Sequence, residues 1–383
     1  MRIKRKLEDA LCKSKFIIIF LSFFLCTFSF KYIVFGNIRH SSDFSYLIFL
    51  IYFFYFVKTR KKPGIDAILM LAYYSWVLFE QIKSDFALGD FYYTISALTI
   101  VILIETYSKD EKELIQALML LFEFYIYINF ATILINNMAG KTKELTFLGV
   151  YNTGIIYMIV AIGISLFHIK YFGNKTRGTI LICVSLLSMV LCASITPKLT
   201  AIIILLTFAF LVFFLRVFRK KDVSLIFLFS LTIIVSIFLI FIYSRNIDSF
   251  PVLGNIIIKI FGKRPTLTGR TEIWANTVDA FLRTPIIGYG DFPYITYDIR
   301  VAAHAHNEYL NIAVQYGVIG LAIYLSFVLR IIKKIDNMKN ILYKYAFISL
   351  FFGLFSAQIV ESYGISHLLL IIYLLISHFC ERL

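Results

Sequence analysis

Charged residues are scarce in this chain. They make up 16% of its 383 residues, where a soluble globular domain carries about a quarter. The length alone would accommodate two or three soluble domains, but so little charge excludes them. Cysteine is sparse as well. Cys12, Cys26, Cys183, Cys192 and Cys380 form no C-x-x-C pair, and four of them fall in or beside apolar runs. That pattern supports neither a disulfide framework nor a zinc site. Tryptophan occurs twice. There is no internal repeat and no low-complexity tract. The N-terminus starts basic and turns apolar like a signal peptide, yet it lacks a small-residue cleavage site. The run from Phe16 to Phe35 therefore reads as an uncleaved first span.

What is abundant is apolar surface. The chain is 60% hydrophobic and 17% aromatic, with a mean hydropathy of +0.82. Its apolar runs approach or exceed bilayer-spanning length. They predict an all-α polytopic membrane protein with about twelve transmembrane helices, at 16–35, 44–57, 64–80, 91–107, 113–136, 146–169, 178–195, 198–218, 223–243, 308–332, 342–360 and 363–380. The formal charge of +15 would also suit nucleic acid. The basic residues instead sit in short clusters between apolar runs, such as Lys58 to Lys62 and Arg216 to Lys221, the pattern of cytoplasmic loops. Loops near Asp43, Asp85 and Asp90 are poor in Lys and Arg. This alternation predicts both termini inside.

One connection breaks the rhythm. Residues 244–307 separate an N-terminal bundle of about nine helices (1–243) from about three C-terminal helices (308–383), and the alternation puts this long loop outside. Loops beyond about 12–15 residues are usually functional or disordered, and this one is too aromatic for disorder. It is expected to hold short helices near 253–262 and 270–283, the second ending where Thr284 precedes Pro285.

The polar residues concentrate in this loop. Arg270 lies at a helix start, where a guanidinium beside free backbone N–H groups suits a phosphate oxygen; a plain surface arginine paired with Glu272 is the alternative. His306 sits at the mouth of the tenth span and could take a proton from an attacking hydroxyl, or simply cap the helix. His304, His306 and Glu308 are a weak metal set, because residues two apart on a helix do not share a face. Gly288-Tyr289-Gly290 lacks the other features of a nucleotide loop and fits a tight turn. Ionisable residues inside spans, namely Glu105, Glu123, His168, Glu361 and His367, should face the bundle interior or an interface. Glu361, at an outer end, could bind sugar hydroxyls, whereas Glu123 suits a structural hydrogen bond. Lys198 could neutralise a second phosphate or snorkel to the surface.

Three ordered motifs mark the loop: Gly269-Arg270-Thr-Glu-Ile-Trp274, Pro285-Ile-Ile-Gly288-Tyr-Gly290, and His306-Asn307 followed after nine residues by Gly317-Val-Ile-Gly320. With the late large loop, they resemble the O-antigen ligase/polymerase family of membrane glycosyltransferases. Gly317 and Gly320 are expected to let the tenth helix pack closely. Trp274 stands where ligases of that family often carry leucine, which leans toward a polymerase. Lys198, in Ser194-Ile-Thr-Pro197-Lys198, replaces a basic position that is commonly arginine.

The resemblance implies a donor glycan on undecaprenyl pyrophosphate. Arg270 and His306 would be catalytic, Arg270 holding the pyrophosphate and His306 readying the acceptor hydroxyl. Lys198, Glu272, Trp274, His304, Asn307 and Glu361 would contact substrate, while Pro285, Gly288, Gly290, Gly317 and Gly320 would shape the site. No metal or other cofactor is expected, because cationic side chains can stabilise the leaving group. Partners would be the lipid-linked glycan, the bilayer of a bacterial plasma (inner) membrane, and other assembly proteins such as a flippase or chain-length regulator. The expected activity is polymerisation of lipid-linked repeat units for capsule, O-antigen or exopolysaccharide. The alternatives are a ligase passing finished glycan to lipid A core or another acceptor and, from a different class, a polysaccharide-lipid transporter. A transporter should distribute charge at the bilayer midplane on paired broken helices.

Overall fold

The computed structural model describes residues 2–27, 42–59, 62–83, 91–140, 146–149, 151–218, 223–261, 264–290, 295–297, 300–302, 304–363 and 366–382. In the first half, the helices are α1 (Arg2–Thr27), α2 (Ser42–Thr59), α3 (Ile65–Lys83), α4 (Phe91–Tyr107), α5 (Glu111–Met138), α6 (Tyr151–Phe172) and α7 (Lys175–Leu191). Then come α8 (Ile195–Phe218), α9 (Leu225–Ile237), α10 (Pro251–Phe261), α11 (Arg270–Arg283), α12 (Glu308–Asp336), α13 (Ile341–Gln358) and α14 (His367–Phe379). A short antiparallel pair, β1 (Ile295–Tyr297) and β2 (Arg300–Ala302), interrupts an otherwise helical chain. Helices dominate because a bilayer offers backbone groups no partners, so each segment must satisfy its own.

Among the described residues, seven helices are long and apolar enough to cross a membrane, and three shorter apolar helices accompany them. The protein is thus a multi-pass membrane protein. Each of the twelve expected spans overlaps a helix, but the lengths differ. The α14 helix has 13 residues and is buried from His367 to Ile376. Residues 28–35 of the first expected span, the basic positions Arg60, Lys61 and 219–221, and the acidic positions Asp85 and Asp90 lie outside the described residues. The expected loop helices are present as α10 and α11. The strand pair is not expected from the sequence, since six residues of strand leave almost no periodic signal.

Large apolar side chains remain exposed around the bundle, including Phe54, Leu206 and Phe227, as befits a surface solvated by lipid. In the interior, α12 packs against α3, α9, α11, α13 and α14. Ion pairs staple the bundle end remote from the long loop. Asp66 accepts from Arg330 Nε (2.5 Å) and Ser377 Oγ (2.6 Å) and lies 2.6 Å from Lys334 Nζ. His378 bonds Glu105 at 2.7 Å. Arg177 grips both oxygens of Glu123 at 2.7 and 2.5 Å, the structural role expected of that glutamate.

The α12 helix is not continuous. Gly317 adopts φ 65°, ψ −172° within it. The break frees carbonyls and amides that the loop segment 285–290 satisfies. Tyr289 N donates to Val314 O (2.9 Å) and Gly290 N to Gln315 O (2.8 Å), while Val318 N and Ile319 N donate to Pro285 O (2.8 Å) and Ile286 O (3.3 Å). Trp76 Nε1 donates to Tyr316 O at 3.0 Å. Non-helical backbone persists in a membrane protein only where other groups pair it in this way. Gly317 lies directly against the backbone of Ile286 and Ile287, and beyond the close packing expected of it this glycine also breaks the helix. Gly320 also lies against a neighbour, since a Cβ there would come within 3.4 Å of Trp76.

Candidate functional site

The loop motifs converge through a small core of their own. Trp274 and Val278 of α11 pack with Ile240, Ala305 and Leu310. Ile240 belongs to a π-helical turn, Phe238–Tyr243, that extends α9. Tyr243 donates from its hydroxyl to Pro265 O at 2.9 Å. This cluster fixes the start of α11, and hence Arg270, against the turn that carries His304 and His306.

That turn is held from both sides. Ala305 N donates to Asn311 Oδ1 (3.1 Å). Asn307 caps α12 by accepting from Leu310 N (3.0 Å), while its Nδ2 reaches Ile359 O (2.8 Å). Between them His306 has φ 49°, a left-handed backbone that few non-glycine residues adopt. Such strain survives only where the surroundings over-determine it, commonly at functional sites.

Glu361 is the centre of the assembly. Its Oε2 accepts from Arg270 Nη2 (3.0 Å) and from Asn152 Nδ2 (2.9 Å), and its Oε1 lies 2.9 Å from His306 Nδ1. Asn152 in turn accepts from Ser194 Oγ at 2.5 Å. The Glu361 side chain is 6% exposed, Arg270 21% and His306 29%, so the carboxylate is buried while the guanidinium and the imidazole are partly exposed. Burial opposes the charge on Glu361, but the His306 hydrogen bond and the Arg270 guanidinium prevail and hold the carboxyl below its ordinary range. An ionised carboxylate only accepts. The hydrogen bond between them is therefore donated by His306 Nδ1, which turns Nε2 away from the carboxylate.

His304 flanks this centre, its ring edge-on to His306 at 4.0 Å. Its Nδ1 is within 3.2 Å of Ser362 Oγ. Burial, with the positive field of His306 and Arg270, pushes its pKa down. His304, His306 and Glu361 bring potential ligand atoms within 4.8 Å of one another. His306 Nδ1 and Glu361 Oε1 are already hydrogen-bonded to each other, and a cation beside Glu361 would face the Arg270 guanidinium. Glu308 is not part of this group. It is fully buried and accepts from Tyr363 N at 2.7 Å.

The expected site residues thus separate. Arg270, His304, His306 and Glu361 come together. Glu361 does so as a strut, with both oxygens engaged by Arg270, Asn152 and His306. Trp274 is 0% exposed and offers no surface to substrate. Asn307 is also fully buried and serves as a helix cap. Glu272 is exposed and points away from the Arg270 side, because i and i+2 diverge on a helix. Lys198 is half-buried in the first turn of α8, one turn beyond Ser194; no hydrogen bond or ion pair joins it to Arg270 or Glu361 among the described residues. Gly288 and Gly290 have φ of 82° and 79°, as a tight turn requires, and the turn from Pro285 pairs with the break in α12. Asn152 and Ser194 are not among the expected site residues, and nothing in their local sequence points to residue 361.

Residues 184–325 match the family model described as O-antigen ligase. This stretch is similar to the O-antigen ligase domain. Several proteins are similar to part of this chain. One of Rickettsia typhi, named as a polysaccharide ligase, is 29% identical over 126 residues, covering 29% of this chain and 30% of the relative. A namesake in Rickettsia prowazekii is 30% identical over 110 residues, covering 24% and 27%. The exopolysaccharide production protein ExoQ of Rhizobium meliloti is 30% identical over 94 residues, covering 21% and 20%. This chain therefore spans about a third or less of each relative's length. No solved structure matches. The matched stretch contains Arg270, His304 and His306, whereas Asn152 and Glu361, which hold them in place, lie outside it.

Proposed function

We propose that the protein is a glycan polymerase that moves a growing polysaccharide from an undecaprenyl-pyrophosphate carrier onto a hydroxyl of another lipid-linked repeat unit. The observation that carries this reading is the Arg270–Glu361–His306 chain, with contacts of 3.0 and 2.9 Å. It sets an anion-binding guanidinium and an imidazole with a free Nε2 on one carboxylate. The acceptor oxygen attacks the anomeric carbon, and its proton passes to His306 Nε2. The bond from the anomeric carbon to the phosphate oxygen breaks with inversion, and the pyrophosphate leaves against Arg270. No metal takes part. Both termini lie in the cytoplasm of a bacterial cell, and residues 244–307 face outward from its plasma membrane. The names of the relatives, polysaccharide ligase above all, support a second reading in which a finished glycan passes to a different acceptor.

The deciding experiment uses purified protein in lipid nanodiscs with one defined lipid-pyrophosphate repeat unit, with and without chelator. A lipid-linked product that lengthens with that substrate alone, equally in both conditions, is expected. Transfer only after a separate acceptor is added would establish the ligase. Absence of any transfer would overturn both readings.

The Arg270 side chain must hold Glu361 and a phosphate oxygen at once, which its planar fork does in a fixed geometry, whereas an ammonium group is a point charge on a flexible stem that cannot reproduce that geometry. Arg270→Lys is therefore expected to lower turnover roughly 100-fold, the scale of losing one transition-state donor. Unchanged turnover would remove Arg270 from the site. For the topology, a cysteine at Tyr297 should react with a membrane-impermeant thiol reagent on intact cells and one at Asp222 should not; the opposite labelling would invert the orientation.

A further inference from the structure

The α10 helix, Pro251–Phe261, has more apolar surface than the protein covers. Of its 11 residues only Asn255 and Lys259 are polar. They stand four apart and so form one ridge, and both are exposed. On the opposite side Gly254 and Ile257 are buried. A Cβ on Gly254 would meet Pro265 at 3.6 Å. Between ridge and buried stripe lie two apolar flanks. Val252 and Ile256 on one are 71% and 41% exposed, and Ile258 on the other is 49% exposed. Exposed apolar residues gathered on one short helix mark an interaction surface.

What that surface meets follows from where the helix is fixed. The span Leu225–Tyr243 ends in the π-helical turn Phe238–Tyr243, and its Ile234, Ile237, Phe241 and Ile242 are exposed as a lipid-facing surface. Phe250, just before α10, packs its ring on Phe238 (5.5 Å) and Tyr243 (6.1 Å) of that turn, and its carbonyl accepts from Gly254 N at 3.0 Å. The α10 helix therefore starts at the end of a lipid-facing span. It cannot itself cross a bilayer. Its 11 residues rise about 16 Å, roughly half the thickness of the hydrocarbon core. The charge agrees with a lipid surface. No residue of α10 is acidic, Lys259 is exposed in its last turn, and Arg264 is exposed soon after it. Cations beside exposed apolar flanks suit phosphate headgroups above acyl chains.

We propose that α10 is an interfacial helix that lies along the membrane surface at that end of α9, with its apolar flanks at the boundary of headgroups and acyl chains and with Lys259 and Arg264 on headgroup phosphates. The consequence for the site is its depth. Pro265, which lies against Gly254, accepts from the Tyr243 hydroxyl at 2.9 Å, and the chain runs from there into Arg270 at the start of α11. A helix seated among headgroups keeps that guanidinium near the level of lipid phosphates. This consequence rests on the reading of the site as a lipid-diphosphate transfer centre; the seat of the helix does not.

The test is photo-crosslinking of the full-length protein in nanodiscs of phosphatidylethanolamine and phosphatidylglycerol, with p-benzoylphenylalanine in place of Val252. Phospholipid adducts are expected in a yield like that from the same probe at Phe227, which is exposed on α9. The probe at Glu272, exposed on α11, should give none. A yield at position 252 no greater than at 272 would overturn the proposal. So would a cross-link from 252 to a second copy of the chain in place of lipid, because the flank would then be a protein interface. Ile256→Glu should remove most adducts at 252 without lowering the melting temperature, since that side chain is partly exposed, and Ile256→Leu should keep them. Equal adducts from the two variants would also sink the idea. The kcat/KM for the lipid-linked donor should fall with Ile256→Glu and hold with Ile256→Leu; unchanged transfer in the glutamate variant would detach the helix from the depth of the site. Absence of transfer by the wild-type protein would remove the functional reading alone, because the adducts form without catalysis.

Discussion

Replacing His306 by alanine is expected to lower kcat by about 10²- to 10⁴-fold, the range that a positioned general base supplies, while the KM for the lipid-linked donor changes little. The split follows from the geometry. Arg270 is anchored to Glu361 independently of the imidazole, so the anion subsite survives when the ring is removed. A loss confined to kcat marks an interaction made in the transition state. Glu361→Gln should show part of the same defect, because an amide can face His306 Nδ1 with either its oxygen or its NH2 and no longer fixes the tautomer. Glu361 also anchors Arg270, so the double variant should be worse than His306→Ala alone only by the cost of loosening that guanidinium, the part that acts through the imidazole being counted once. Transfer rates measured with purified protein decide the matter. A His306→Ala variant with a wild-type kcat would end the proposed mechanism.

The second large effect is structural. Gly317→Ala is expected to destabilise the protein by about 3 kcal/mol or more, combining left-handed strain with a steric conflict. A Cβ at residue 317 would lie 2.1 Å from Ile286 O, and Gly288, on the other side of the same crossing, would bring one to 2.4 Å from Gln315 O. Backbone atoms cannot swing aside as a side-chain end can. Relief would require the loop segment to withdraw, leaving Val314 O and Gln315 O without their donors. The loop carries Arg270 and the broken helix begins beside His306, so activity should fall together with the melting temperature. Gly154→Ala is the control. It sits in α6 with nothing closer than 3.9 Å to the added carbon, and a helical alanine there should be neutral or mildly stabilising. A Gly317→Ala protein as stable as wild type would mean that α12 runs straight through this position.

The spacing of the loop motifs makes part of the site legible in the sequence. Gly269-Arg270, the Pro285 to Gly290 turn and the His306 to Gly320 pattern each mark a local backbone requirement, and local requirements can be read from local sequence. Trp274 shows the limit. As one of two tryptophans in the chain, set in a polar loop, it has the look of a binding residue, yet it forms the centre of the packing that fixes α11. A large aromatic in a loop signals burial or binding equally, and only its neighbours discriminate. Asn307 likewise carries the signature of a site residue and is a helix cap.

By itself the sequence determined that the chain is helical and membrane-embedded, and it singled out Arg270 and His306 in one late polar loop as candidates. Those features follow from composition, apolar run length and short-range motifs, which act through contacts within a few residues. Only the tertiary structure decided that Glu361 joins Arg270 to His306, that Asn152 and Ser194 brace it, and that Gly317 breaks α12 so that the loop can pair with it. These contacts span 55 residues between His306 and Glu361 and 209 between Asn152 and Glu361. A carboxylate at the end of an apolar helix looks alike in sequence whether it meets solvent or a guanidinium. The packing of α6, α12 and α13 chooses between them, because burying that charge is tolerable only where the partners are already in place.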